Sequence, residues 1–144
     1  MKNIQLTCAH ALVKFLIAQK TLIDGKKAPL FPGVFGIFGH GNVACLGQAL
    51  QENQKDLPTW RGHHEQNMAL TGIAYSRAKR RKQIFVATSS VGPGSTNMVT
   101  AAAVAMSNRI PILFLPGDTF SSRFPHPVLQ QVEHFNNPGI TAND

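Results

Sequence analysis

Gln83-Ile84-Phe85-Val86-Ala87-Thr88 leads through Ser89-Ser90-Val91-Gly92-Pro93-Gly94-Ser95-Thr96-Asn97 into Met98-Val99-Thr100-Ala101-Ala102-Ala103-Val104-Ala105-Met106, and Pro111-Ile112-Leu113-Phe114-Leu115-Pro116-Gly117 follows. The first run reads as a strand with Ile84-Phe85-Val86 as its apolar centre. A helix is expected from about Ser95 to Ser107, apolar or small nearly all round and therefore buried on most sides. Asn108 is placed to take the left-handed position that ends it. Pro111 to Leu115 reads as a second buried strand, closed by Pro116-Gly117. Strand, helix and strand with short connections form a right-handed parallel unit. The fold class expected is α/β, a mostly parallel sheet with helices on both faces.

Outward from this unit the pattern repeats. Residues 6–19 carry Leu6, Ala9, Leu12, Val13, Leu16 and Ile17 at helical spacing, and a Gly/Lys/Pro stretch at 25–29 ends that helix. Val34 to Phe38 reads as a short buried strand, Gly39-His40-Gly41-Asn42 as a turn, and a helix follows to about Gln51. Residues 52–60 are polar, contain Pro58 and read as a loop. The next helix runs from about His64 to Arg80. Residues 121–144 have little periodicity, although Val128 to Glu133 can form one or two helical turns.

The totals narrow the function classes. A length of 144 residues suits one domain, and 43% hydrophobic with 15% charged residues is globular composition. The formal net charge is +7, but the basic residues are scattered apart from Lys79-Arg80-Arg81-Lys82. That run ends a helix, where cations oppose the negative pole of the dipole. No aromatic residues interleave it as a single-strand binder requires, so nucleic acid is not an expected partner. No apolar run reaches the roughly 18 residues of a membrane span, and residues 1–10 lack a signal-peptide core. Cys8 and Cys45 have no metal spacing and read as two reduced thiols. The expected compartment is the cytoplasm.

Four groups of residues are candidates for chemistry. Gly39-x-Gly41-x-x-Ala44 follows a strand and matches the dinucleotide fingerprint, but the acidic residue due about 20 positions later is missing from its place. A tight turn, or a turn that lets backbone approach some other ligand, fits better. Gly92 to Asn97 sets N–H groups at a helix start, which can hold an anion, with Ser95 as cap. It lacks the Lys-Ser/Thr of a phosphate loop. His40, His63, His64, His126 and His134 have no metal-ligand spacing, so no metal site is expected. Glu65 begins a helix and is followed by Met68, Ala69, Gly72, Ile73 and Ala74. An apolar setting makes such a carboxyl hard to ionise and good at sharing a proton. A carboxylate that merely favours the helix dipole is the alternative.

Taken together, Arg61-Gly62-His63-His64-Glu65-Gln66-x-x-Ala69, then Gly72-x-Ala74-Tyr75-x-Arg77, then Ser90-Val91-Gly92-Pro93-Gly94-x-Thr96-Asn97, then Pro111 and a strand ending in Pro116-Gly117-Asp118, resemble the thiamine diphosphate (ThDP) enzymes of the acetolactate synthase and pyruvate oxidase type. The resemblance covers roughly residues 30–120. Phe38-Gly39-His40-Gly41-Asn42 and Pro127-Val128-Leu129-Gln130-Gln131-Val132-Glu133 look most like the members that hydrolyse a ring C–C bond of a cyclic 1,2-diketone in inositol catabolism. Carboligation of 2-oxo acids and a non-catalytic interaction fragment are the alternatives.

The resemblance implies the pyrimidine-binding domain of such an enzyme over residues 1–120, with 121–144 leading toward a central domain. It implies that Glu65 hydrogen-bonds the aminopyrimidine ring of the cofactor and is catalytic. By the same resemblance Pro93 and Asn97 border the pyrimidine pocket, and the loop Gly39, His40, Gly41 approaches from the other side, with His40 toward the substrate. The Gly-Asp-Gly…Asn segment that binds diphosphate and Mg²⁺ in the family does not occur in these 144 residues, because Gly117-Asp118 is followed by Thr119. The Mg²⁺ ligands are therefore expected outside this chain, and the complete site is expected between subunits of a homo-oligomer.

Overall fold

The computed structural model describes residues 3–118 together with 129–130. Helix α1 (Cys8–Ala18) starts at Thr7, whose side chain accepts a hydrogen bond from the His10 N–H, and it buries Val13 and Leu16. A hairpin follows, β1 (Lys20–Ile23) and β2 (Lys26–Pro29), paired antiparallel with Ile23 opposite Lys26. Its two-residue loop, Asp24 and Gly25, has φ of 50° and 78°. Positive φ at both positions is what a type I′ turn demands. The expectation that residues 25–29 simply end a helix is corrected here: the Asp-Gly pair joins two strands.

The main sheet has four parallel strands in the order β4-β3-β5-β6. They are β3 (Val34–Gly36), β4 (Thr59–Arg61), β5 (Val86–Ser89) and β6 (Leu113–Pro116). In register, Val34 lies opposite Val86 and Val86 opposite Leu113. Successive side chains on a strand point to opposite faces. Val34 and Val86 accordingly join Val13, Leu16, Ala49, Leu50 and Leu57 on one face. Phe35 and Ala87 join Met68, Ala69, Ile73, Met98 and Ala101 on the other. The sheet is thus covered on both sides, as a parallel sheet requires, and the expected α/β class holds.

The covering helices are α2 (Gln48–Glu52), preceded by a π-helical stretch Val43–Gly47, then α3 (Glu65–Ala78), α4 (Pro93–Thr96) and α5 (Val99–Asn108). Several boundaries differ from the sequence reading. The polar stretch 52–60 is not all loop, because Thr59 and Trp60 belong to edge strand β4. The single helix expected from Ser95 to Ser107 is two, broken at Asn97 and Met98. Ser95 lies inside α4, and Gly92 takes the cap position. Only Ala101 and Ala105 of α5 are buried, while Val99 and Met106 are 61% and 84% exposed. The helix expected to be buried on most sides thus packs by one stripe within this chain.

At the end of α5 the left-handed residue is Arg109, φ 52°, not Asn108. Asn108 stays helical and donates its amide to the Val104 carbonyl. The Ile110 N–H bonds back to the Ala105 carbonyl at 2.9 Å, which needs the turn at Arg109 and buries Ile110. Strand β6 starts after Pro111, whose ring leaves no N–H for the ladder. Before β5, buried Gln83 accepts from the Tyr75 hydroxyl (3.0 Å) and donates to the Pro29 carbonyl (2.9 Å). The Ile84 N–H donates to the Leu30 carbonyl. These bonds fasten the hairpin to the sheet. The expected tail 121–144 falls outside the described residues except at 129–130.

Candidate functional site

The segments singled out in the sequence leave the carboxyl ends of strands β4, β3 and β5, which are neighbours in the sheet. In open parallel sheets that rim is where ligands bind. Glu65 is the first residue of α3, reached from β4 through a half-turn in which His64 is extended and offers no side-chain cap. A carboxylate there suits the positive pole of the helix. The body of α3 is held by Met68, Ala69 and Ile73 against Met98 and Ala101. Small residues on both helices let their starts approach closely. Ala74, expected to back Glu65, is exposed instead.

That approach brings two of the expected site residues into contact. The Asn97 side-chain amide donates to Glu65 Oε2 at 2.9 Å, although 32 residues separate them. Glu65 is half-buried and Asn97 exposed. Pro93 is exposed at the first position of α4, where its missing N–H leaves no helix bond broken. Gly92 before it has φ 58° and ψ −113°, a conformation that favours glycine. The N–H groups of Thr96 and Asn97 bond to the carbonyls of Gly92 and Pro93 within the turn.

The second loop is braced rather than open. Gly39 donates its N–H to Asn42 Oδ1 (3.1 Å). Asn42 Nδ2 reaches Thr88 Oγ1 at 3.3 Å and the Ser89 carbonyl at 2.8 Å, and Thr88 Oγ1 donates to the Leu115 carbonyl at 2.7 Å. One buried asparagine therefore ties the ends of β3 and β5, and Thr88 extends the tie to β6. Gly39 sits directly on Ser90, where any Cβ would overlap the Ser90 hydroxyl, and a Cβ on Gly41 would meet Val91 Cγ1 at 2.7 Å. His40 and Gly41 are exposed at the rim.

Ser90 links the two loops. A Cβ built on Gly94 would stand 3.3 Å from Ser90 Cβ and 3.4 Å from Glu65 Oε1. Gly94 is buried, and its lack of a side chain lets Ser90 and the Glu65 carboxylate pack closely against its backbone. Ser90 Oγ is buried without a hydrogen-bond partner among the described residues, a situation that costs about 1–3 kcal/mol. Sequence reasoning missed Ser90 and the bracing role of Asn42, because both roles arise from contacts between segments. A separate cleft of about 550 Å³ is lined by Ile37, Phe38, Val43, Gln48 and Arg61, among others. Neither Glu65 nor Asn97 lines it, so the chemistry-bearing groups and this cleft lie apart. Among the described residues there is no group of His, Cys, Asp or Glu suited to a metal ion, and no helix long and apolar enough to cross a membrane.

Glu65 Oε1 has no donor of its own among the described residues, so it is able to accept from a ligand N–H such as that of a heterocycle. Residues 27–137 match the family described as thiamine pyrophosphate enzyme, N-terminal TPP binding domain. The chain is 55% identical over its full length to 3D-(3,5/4)-trihydroxycyclohexane-1,2-dione hydrolase of Clostridium tetani and covers 22% of that protein. The hydrolases of that name from Listeria innocua and Geobacillus thermodenitrificans are 52% and 55% identical over 99% and 100% of the chain, again 22% of their lengths. The chain thus spans about a fifth of the length of these curated relatives, and it belongs to the thiamine pyrophosphate enzyme family as an N-terminal cofactor-binding domain.

Proposed function

We propose that the protein carrying this chain is a ThDP-dependent hydrolase that opens the ring of a cyclic 1,2-diketone, trihydroxycyclohexane-1,2-dione, in inositol breakdown. The relatives' name supports the substrate, and identity above 50% along the chain supports transfer of that name. The observation that carries the reading is the Glu65 carboxylate, held through Oε2 by Asn97 and lying over the side-chain-free Gly94 through Oε1. When bound, ThDP supplies a carbon nucleophile and electron sink for breaking a C–C bond beside a carbonyl.

In this reading Glu65 Oε1 holds and shares a proton with a ring nitrogen of the aminopyrimidine, the work of a positioned general acid–base. Pro93 and the Gly39-His40-Gly41 loop border the ring, and Asn97 stands beside it. Residues 1–120 form the pyrimidine-binding domain, and 121–144 lead toward a central domain. Diphosphate and Mg²⁺ are held by residues outside this chain. A partner subunit completes the site, a role consistent with the exposed Val99 and Met106 on α5. The expected location is cytoplasmic.

The hydrolase name of the relatives favours this reaction over 2-oxo acid carboligation and over a non-catalytic fragment. The test is ring opening of the cyclic diketone by the full-length protein with ThDP and Mg²⁺, followed by mass spectrometry. An open-chain acid one water heavier than the substrate is the expected product. Condensation of pyruvate with no ring opening would overturn the proposal in favour of carboligation.

A further inference from the structure

We infer that Asn97 is a positioning residue for Glu65, acting on the carboxylate rather than on the ligand. The inference rests on the reading of Glu65 given above. A glutamate side chain has three rotatable bonds, and its terminal torsion is broad and nearly two-fold. Unaided, it would present either oxygen in several directions. The Asn97 amide removes that freedom: Nδ2 donates to Oε2 at 2.9 Å, which leaves Oε1 over Gly94. A carboxylate only accepts, so the amide must present its N–H₂ to it.

Both partners stand on fixed backbone. The Asn97 N–H bonds to the Pro93 carbonyl at 3.1 Å, within the turn that Gly92 makes possible. Glu65 opens α3, whose Met68 and Ala69 pack with Met98 and Ala101 in one cluster. Met98 follows Asn97 directly, so the cluster fixes the distance between the two side chains. Asn97 itself is exposed, so its amide is not required for core packing. Among the described residues no other side-chain donor reaches the Glu65 carboxylate, and His64 before it provides no cap bond.

The test uses the full-length protein with ThDP and Mg²⁺. Asn97→Ala and Asn97→Asp remove the donor, and Asn97→Ser restores a shorter one. Loss of a charge-assisted hydrogen bond predicts a kcat lower by about 10- to 100-fold for the first two. KM and the calorimetric Kd for ThDP should stay within about 3-fold, because Asn97 is not the ligand's anchor. Asn97→Ser should recover part of kcat. In a Glu65→Gln background, Asn97→Ala should add little further loss, since residues acting as one unit are non-additive. A crystal structure of the unliganded Asn97→Ala protein should show the Glu65 carboxyl turned or in two orientations.

An unchanged kcat in Asn97→Ala, full additivity in the double variant, or an undisturbed Glu65 with more than 10-fold weaker ThDP binding would each overturn the inference. In the last case Asn97 contacts the ligand itself. Full activity of Glu65→Gln alone would instead overturn the reading of Glu65, and the carboxyl orientation in the unliganded variant still judges the positioning separately.

Discussion

Two loops of similar composition leave adjacent strands at the same rim. Gly39-His40-Gly41-Asn42 follows β3, and Gly92-Pro93-Gly94-Ser95-Thr96-Asn97 follows β5. Each joins glycines to an asparagine. Asn42 is 5% exposed and directs its side chain inward, to Gly39, Thr88 and Ser89. Asn97 is exposed and directs its side chain outward, to Glu65. The same residue types thus serve as a brace in one loop and as part of the proposed rim site in the other. What separates them is where the amide's partners lie. Main-chain groups and a buried hydroxyl mark the brace, and an ionisable side chain at the rim marks the site.

Substitutions sharpen this contrast. The largest effect is expected at Glu65. Glu65→Gln in the full-length protein should lower turnover by at least about 10²- to 10⁴-fold, the range of acid–base roles, with the thermal unfolding midpoint nearly unchanged. Near-normal turnover would remove Glu65 from the chemistry and erase the contrast. The brace should behave oppositely. Asn42→Ala removes one partner each from the half-buried Gly39 N–H, the Thr88 hydroxyl and the Ser89 carbonyl and should destabilise by about 1–3 kcal/mol, read by denaturant unfolding and by faster hydrogen exchange in residues 37–47. A loss of activity with no loss of stability would mean that Asn42, too, belongs to the site.

Ser90 stands between the loops and tests which one it serves. Because its hydroxyl is buried without a partner among the described residues, Ser90→Ala should leave the unliganded protein as stable or up to about 1 kcal/mol more stable. It should also weaken ThDP or substrate binding by a few fold. Clear destabilisation without ligand would show that the hydroxyl has a partner within the protein. The smallest effect lies far from both loops. Glu52 is held below its ordinary carboxylate range by hydrogen bonds from Gln48 and then His10. A depressed value contributes stability above that range, lost as pH falls through the folded value. The side chain is exposed, so Glu52→Gln should shift the acid unfolding midpoint only slightly, in scans from pH 6 to 3.

The parts of the fold legible in the sequence are those with dense apolar patterning. Strands β3, β5 and β6 and helices α1 and α3 stand within a few residues of their expected bounds. Edge strand β4 was hidden because Thr59-Trp60-Arg61 is three residues long and mostly polar. The hairpin had a readable signal in Asp24-Gly25, but its lysine-rich strands do not look like strands. The end of α5 was decided by burial of Ile110, a tertiary event that put Arg109 rather than Asn108 in the left-handed region. For the site, resemblance picked out Glu65 and Asn97 separately. Their hydrogen bond, the inward turn of Asn42 and the orphaned Ser90 hydroxyl depend on contacts across 32 residues or more in two of the three cases, which local pattern does not encode.

Gln83 has a consequence for the order of folding. Its amide meets Pro29 across 54 positions, and the neighbouring Ile84 N–H meets Leu30. Closing so long a loop costs entropy that no nearby contact repays until the loop is shut. The hairpin turn can flicker into shape early, since Asp24 and Gly25 act locally. Its docking must wait for the start of β5 to be in place. In a pulse-labelling experiment, amides of residues 20–30 should therefore gain protection after those of β3 and β5, making the hairpin the last part of the sheet assembly to lock.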